Sequence, residues 1–412
     1  MKPFPLNPTI GTIPDHQIIG REQEIIKILR LLKGQSISIE QIRRMGKSLL
    51  LKKLAYLCNE NKLPLEFKND KIKAKYFSFQ GKENLGEVID LLIKELENLK
   101  EWYKIDFSKT YKLIREIVKS PTLETNDIKF TLNLPEYKKS WKEILFKTLD
   151  DIADSQENSK SKLILIFDEL PIMLWDWYKA GKHDEALELL DILRERRQKL
   201  ENKGIRFIYC GSIGIKVVLK TFKKEFGYTG EATNDMEEFG LDALIKSESD
   251  LLCECYTLSG MKIIENEKLK NWNLIYKLTN GLPFYISKIF NIIQTEFDLI
   301  INEENISKSY DLLMNSTLNH QAFNQLKDRI LIYYPTEQKE ISIEILKVLS
   351  KEDDFIVEEE LLTKLNYESK EITEVLYQLF SDHYLVREIK NDKRAFKFKY
   401  EIFKKWWRIN IA

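Results

Sequence analysis

Apolar positions recur along this chain with two spacings, and the alternation between them lays out its elements. After Gly20, Ile25, Ile26, Ile28, Leu29 and Leu32 form a helical stripe that Gly34 closes. Ser36-Ile37-Ser38-Ile39 is a short β-type run. A loop containing Gly46 follows it, then a helix carrying Leu49, Leu50, Leu51, Leu54 and Leu57. Residues 74–79 predict another strand and 85–99 another helix. Residues 101–140 break the rhythm; within them 128–134 alternates apolar and polar, which predicts an exposed strand in an insertion. A helix over about 140–154 and a polar loop lead to 163–167, a wholly apolar run that reads as a buried central strand. An amphipathic helix at 184–200 and a short strand at 206–209 complete this part. Strands and helices alternating at these lengths imply an α/β fold with a mainly parallel sheet.

After about residue 230 the strand signal fades. Residues 240–332 give helical stretches interrupted by Asn280-Gly281-Leu282-Pro283. Helical runs at 340–350, 357–365 and 368–380 then precede two β-type stretches, 384–389 and 395–400, separated by Lys390-Asn391-Asp392-Lys393-Arg394. That is the order of a winged helix. At the other end, Pro3, Pro5, Pro8 and Pro14 imply an extended arm.

Composition narrows the classes. A length of 412 residues suggests two or three domains at roughly 150 residues each. A hydrophobic share of 43% with 32% charged residues excludes a wholly disordered chain. The 65 basic residues balance 65 acidic ones, so any pull towards nucleic acid or anionic lipid must be local. No apolar run approaches the roughly 18 residues of a membrane span, and the start of the chain lacks the apolar core of a signal peptide. The 4 cysteines and 4 scattered histidines make neither a disulfide framework nor a zinc site, since Cys253 and Cys255 are too close for a CxxC pair. Free thiols in a reducing cytoplasm are the expectation.

The chemistry starts at Gly46-Lys47-Ser48, which opens a helix directly after a strand. Backbone N–H groups at a helix N-terminus can wrap phosphate oxygens, and the dipole there favours an anion. In that setting Lys47 would bridge the β- and γ-phosphates, and the Ser48 hydroxyl would hold Mg²⁺. The full motif also wants a glycine five residues before Gly46; this chain has Gln41 there, beside Glu40. A second element is Asp168-Glu169, at the carboxyl end of the buried strand, where open α/β sheets place their ligands. Asp168 would hold Mg²⁺ through water, and Glu169 would orient and deprotonate an attacking water. The plain alternative for the pair is a solvated strand end.

Several pieces act together here: Ile19-Gly20-Arg21-Glu22, Arg43-Arg44-Met45-Gly46-Lys47-Ser48, Phe167-Asp168-Glu169, Gly211-Ser212, Gly281-Leu282-Pro283 and the C-terminal winged helix. With them the chain resembles, over nearly its whole length, the archaeal-type ATPases, relatives of the AAA+ and STAND signalling ATPases. The Arg-Arg-x-Gly-Lys loop is the most specific piece, and family members usually carry glycine where Gln41 stands. The resemblance implies an arm over residues 1–15 and an α/β P-loop NTPase domain over 16–235 with an insertion at about 101–140. A helical lid over 236–333 and a winged helix over 334–412 would follow. It implies ATP or ADP with Mg²⁺ as ligands. Gly20, Arg21 and Glu22 would line the base and ribose side, the plain alternative being a polar helix start. Arg43, Arg44, Met45, Gly46, Lys47, Ser48 and Leu49 would form the phosphate loop. Ser212 would sense the γ-phosphate, and Pro283 would link nucleotide state to lid position. Arg43 and Arg44 either neutralise phosphate charge or stay solvated. Arg194, Arg196 and Arg197 either reach a neighbouring subunit's phosphate or form a solvated helix face.

The winged helix raises a DNA question. Its expected recognition helix carries Glu368, Glu371 and Glu374 against Lys370 alone, a poor match to the phosphate-lined major groove. The basic wing, with Lys390, Lys393, Arg394 and Lys397, would still grip a phosphate backbone without reading bases. Docking to a protein partner or to the chain itself is the other use, and no membrane role is implied. Phe396, Phe398, Tyr400, Phe403, Trp406 and Trp407 would pack the wing on its own core or stack on bases. The functional expectation is an ATP-binding, slowly hydrolysing switch whose nucleotide state controls the lid and winged helix. The alternative is a non-catalytic, nucleotide-stabilised scaffold or binding module in which Gln41 marks impaired turnover.

Overall fold

In the computed structural model, which describes residues 2–8, 13–100, 105–118, 135–159, 161–315 and 321–412, the apolar runs become strands of one parallel sheet. These are β1 (Ser36–Glu40), β2 (Ile72–Ser78), β3 (Lys162–Asp168), β4 (Ile205–Cys210) and β5 (Met236–Gly240), in the order β2-β3-β4-β1-β5. Every adjacent pair is parallel. β3 is buried from Leu163 to Asp168, as a strand covered on both faces must be. Its Phe167 sits opposite Phe77 and Tyr209 in register and anchors an aromatic core, 5.3 Å from the Phe77 ring and 5.4 Å from that of Phe79. The sequence pattern missed β5. Of its residues only Phe239 is buried, while Glu237 and Glu238 are exposed, so an edge strand of this kind leaves no apolar period to read. The strand expected over 128–134 lies outside the described residues.

The chain divides into two compact units. One comprises Glu22–Glu40 and Lys47–Gly240 and holds the sheet. Its helices are α1 (Glu22–Gly34), α2 (Lys47–Asn59), α3 (Leu85–Glu97), α4 (Ser108–Val118), α5 (Pro135–Ser159), α6 (Leu170–Lys179), α7 (His183–Leu200) and α8 (Ile215–Phe226). α1 buries Ile25, Ile28, Leu29 and Leu32, the stripe its spacing predicts.

The other unit comprises Met1–Arg21, Gln41–Gly46 and Leu241–Ala412. Its first described residues run without regular structure and are tied down by Leu6, which is buried and donates its N–H to the Cys255 carbonyl at 3.0 Å. Helices α9 (Lys246–Thr257), α10 (Lys268–Thr279), α11 (Pro283–Glu296), α12 (Glu303–Asn315) and α13 (Gln321–Tyr333) follow, with a two-stranded ribbon of β6 (Lys262–Ile263) and β7 (Ile300–Ile301). The C-terminal part is a winged helix: α14 (Thr336–Lys351), β8 (Ile356–Val357), α15 (Glu358–Lys364), α16 (Ser369–Ser381), then β9 (Leu385–Lys390) and β10 (Lys393–Phe398). The hairpin turns tightly on Asn391 and Asp392, both at positive φ, so Lys390 and Arg394 stand in the ladder rather than in the connecting loop that the sequence pattern drew. A further helix, α17 (Glu401–Asn410), closes the chain. Phe396, Phe398, Tyr400, Phe403, Trp406 and Trp407 are all buried, which settles their role as packing. Rings from three helices line up there: Tyr285 lies 4.7 Å from Phe323, and Phe323 lies 5.5 Å from Trp406.

All 4 cysteines are buried and free. Among the described residues no helix is long and apolar enough to cross a membrane.

Candidate nucleotide site

Because the five strands of the sheet run in parallel, their carboxyl ends share one edge. β1 ends at Glu40, and α2 begins at Lys47 with no acidic residue in its first turn, so its positive end is not neutralised by its own side chains. Lys47 is buried, and Ser48 and Leu49 are half-buried. β3 ends at Asp168, only 2% exposed, and β4 at Cys210, with Ser212 just beyond. β4 lies between β1 and β3, which gathers these groups. The Cys210 thiol registers the convergence. Burial pushes it well above its ordinary range, Asp168 and Glu169 push the same way, and Lys47 opposes them.

Asp168 is held on both sides. Its Oδ2 accepts a 2.5 Å hydrogen bond from the Tyr76 hydroxyl, and its Oδ1 accepts the Glu169 N–H at 3.1 Å. Tyr76 comes from β2, where it stands opposite Ile166. Burial and then the Asp168 carboxylate raise its phenol above the ordinary range. Glu169 enters α6 at a left-handed φ of 59°. Its Oε2 accepts both the Ser212 N–H at 3.0 Å and the Ser212 hydroxyl at 2.8 Å. Gly211 permits that approach, because a Cβ there would lie 2.6 Å from Cδ of Pro171. The residues marked for the metal, Ser48 and Asp168, offer oxygen donors, which suit a hard divalent ion. Among the described residues no three His, Cys, Asp or Glu side chains cluster to cage a metal unaided. Such a set fits an ion completed by phosphate oxygens and water.

Residues 41–46, leading from β1 to α2, group with the other unit. Arg44 and Gly46 turn the loop at φ of 73° and 86°, a conformation that glycine adopts without strain. A Cβ on Gly46 would lie 3.8 Å from Cγ of Pro283, the first residue of α11, so the loop and Pro283 are neighbours. Arg43 and Arg44 are both exposed, and the Arg44 guanidinium stacks 4.2 Å over the Phe284 ring. Met45 is buried. Arg21, next to Gly20, is also buried and is committed to carbonyls: Nη1 donates to Asp242 at 2.7 Å and Nη2 to Met45 at 2.8 Å. Gln41, 1% exposed, donates Nε2 to the Leu241 carbonyl at 2.7 Å and accepts the Ile42 N–H at 3.0 Å. The sequence marked Gln41 only as a departure.

The loop after the first strand, the strand order and the acidic pair ending β3 decide the fold class. This is an AAA+ P-loop NTPase fold. No family model matches the chain, and no curated protein matches it. It is similar to the solved structure of the Aeropyrum pernix ORC2 protein in its ADP form, at a TM-score of 0.49 and 14% identity over 98% of each chain. The A. pernix ORC1 protein in complex with DNA gives a TM-score of 0.39 and 10% identity, over 96% of this chain and 94% of that one. The Thermotoga maritima RuvB Holliday junction branch migration motor gives 0.36 and 12%, over 92% and 93%. Likenesses of that degree say nothing of what this chain binds.

Two charged groups change meaning in the structure. Arg197 is fully buried: it pairs with Asp235 and donates to the Tyr209 hydroxyl at 2.9 Å and the Ala232 carbonyl at 2.9 Å. It therefore fits neither a finger for a neighbour's phosphate nor a solvated face. Arg196 is buried as well, over the Phe146 ring at 3.6 Å. Arg197→Ala is expected to cost about 2 kcal/mol of stability, the scale of lost hydrogen bonds to a charged group. Urea unfolding measures it, and an unchanged midpoint would return Arg197 to the list of functional arginines. The basic wing is the second group. Lys390 pairs with Asp354 at 3.0 Å, Lys393 with Glu359 at 3.7 Å and Arg394 with Glu358 at 2.6 Å, while Lys397 lies 4.3 Å over the Phe355 ring. Acidic residues of 354–359 thus answer much of the wing's charge.

Proposed function

We propose that this chain is an ATP-binding, slowly hydrolysing molecular switch. Its parts would be an arm over 1–15, a nucleotide-binding domain expected over 16–235 but extended to 240 by β5 of its sheet, a helical lid over the rest of 236–333 and a winged helix over 334–412. Lys47 and the N-terminus of α2 would hold phosphate, and Ser48 and Asp168 would hold Mg²⁺. Glu169 would take the proton of the attacking water, with Ser212 orienting its carboxylate. When bound, Mg²⁺ would neutralise charge that develops on the phosphate oxygens. One observation carries this reading over a plain strand end: buried Asp168, the Ser212-bound Glu169 and Lys47 all lie near enough to the Cys210 thiol, at the carboxyl end of β4, to act on it. The wing's largely paired charge favours a protein partner or self-association over DNA as the output. A cytoplasmic setting suits the free thiols.

Adding Mg-ATP to the purified chain should release inorganic phosphate at a slow, steady rate, followed with a phosphate sensor. ATP bound with no phosphate released would favour the second reading, a nucleotide-stabilised scaffold. Gln41 at the start of the loop motivates that alternative.

A further inference from the structure

Loop 41–46 is gripped at both ends by side chains that reach the same short segment of chain. At its start Gln41 donates to the Leu241 carbonyl at 2.7 Å, and its own carbonyl oxygen holds the Ile42 N–H at 3.0 Å. Near its end the Met45 carbonyl accepts from Arg21, whose other terminal nitrogen donates to the Asp242 carbonyl at 2.7 Å. Leu241 and Asp242 are therefore tied to the loop by one buried amide and one buried guanidinium. A glycine at position 41 could make neither of the Gln41 bonds.

The tie continues. The Asp242 carboxylate, itself exposed, pairs at 2.9 Å with Lys399, just after β10 and half-buried. Tyr400, the next residue, lies close enough to Asp242 and Arg21 for both charges to act on its hydroxyl. The N–H of Ile402, in α17, donates to the Asn280 side chain at 2.9 Å, in the turn before Pro283. Loop, turn and winged helix thus meet through residues 241–242 and 280–283 of a single compact unit.

We propose that Gln41 and Arg21 are positioning residues that preset the shape of the phosphate loop, and that the Asp242–Lys399 pair makes the winged helix part of that hold. This rests on the nucleotide reading above and deepens it. Gln41 is then a built-in brace in place of a flexible glycine, and the loop's affinity for a triphosphate depends on how the winged helix is seated. A preset loop binds more tightly because less ordering remains to be done on binding. A partner that pulled on the winged helix would loosen the loop without touching it.

The test uses the full chain and four proteins: wild type, Gln41→Gly, Lys399→Glu, and Lys399→Glu with Asp242→Lys. Mg-ATP affinity is measured by calorimetry at low salt, where partly exposed pairs are least screened. Gln41→Gly should weaken binding about tenfold, as expected when a buried carbonyl loses its donor and the loop gains freedom. Lys399→Glu should weaken it about threefold, the scale of a partly exposed ion pair, and the charge swap should restore it. Tighter or unchanged binding by Gln41→Gly, or a swap that restores nothing, would overturn the proposal. Hydrogen exchange at 41–46 without nucleotide is the independent measurement. Exchange there should be faster in Gln41→Gly than in wild type, and equal rates would also overturn the brace. If wild type binds no nucleotide, the nucleotide reading falls while this exchange result still decides the brace.

Discussion

Replacing Lys47 by alanine is expected to abolish measurable Mg-ATP binding or weaken it by about two orders of magnitude, the upper range for losing hydrogen bonds to a charged group. The N-terminus of a helix favours an anion, and the ammonium belongs to the first residue of α2. It is 8% exposed, so its charge is poorly screened by solvent. It also lies within electrostatic reach of the carboxyl end of β4, as its action on Cys210 shows. The α2 backbone does not need the side chain, and alanine is the best helix former, so the fold should survive the change. Calorimetric titration of wild type and variant is the measurement, with circular dichroism to confirm the fold. Equal affinities would remove the phosphate-loop assignment, and with it the reading of Ser48 and Asp168 as metal ligands.

The positions of the candidate residues on the sheet were legible in the sequence because they sit on strongly patterned elements. A fully apolar run ending in Asp168-Glu169 can hardly be anything but a central strand, and Gly46-Lys47-Ser48 directly after β1 fixes where the loop falls. Ser212 was singled out by the family resemblance, which did not name its partner, Glu169. What escaped depends on which strands are neighbours. Tyr76 reaches Asp168 only because β2 pairs with β3 in a register that no single strand's sequence encodes. Arg197 looked like one of three arginines on a helix, and only Asp235 and Tyr209, from elsewhere in the chain, draw it inward. β5 was lost because an exposed edge strand carries glutamates rather than alternating apolar residues. The wing's charge was counted correctly, but its acidic counterparts come from 354–359 and were not assigned to it until the hairpin register placed them.

Glu169→Gln should leave Mg-ATP bound and slow phosphate release by at least about 10²-fold, the lower range for losing a general base. Glutamine suits the test because it alters basicity and little else. Its side-chain carbonyl can still accept the Ser212 N–H and hydroxyl that now hold Glu169 Oε2 at 3.0 and 2.8 Å, so the turn into α6 keeps its bonds. The left-handed φ of 59° is a backbone property that both residues meet at similar cost. Binding affinity then reports the phosphate loop, and turnover reports the proton acceptor, in one variant. A slow variant with unchanged affinity places water activation on Glu169. An unchanged rate would move that role off Glu169, because Asp168 is buried and already accepts from Tyr76 and from the Glu169 N–H. A loss of binding together with turnover would mean instead that the carboxylate's main work is electrostatic, balancing the buried charge at the carboxyl edge of β3.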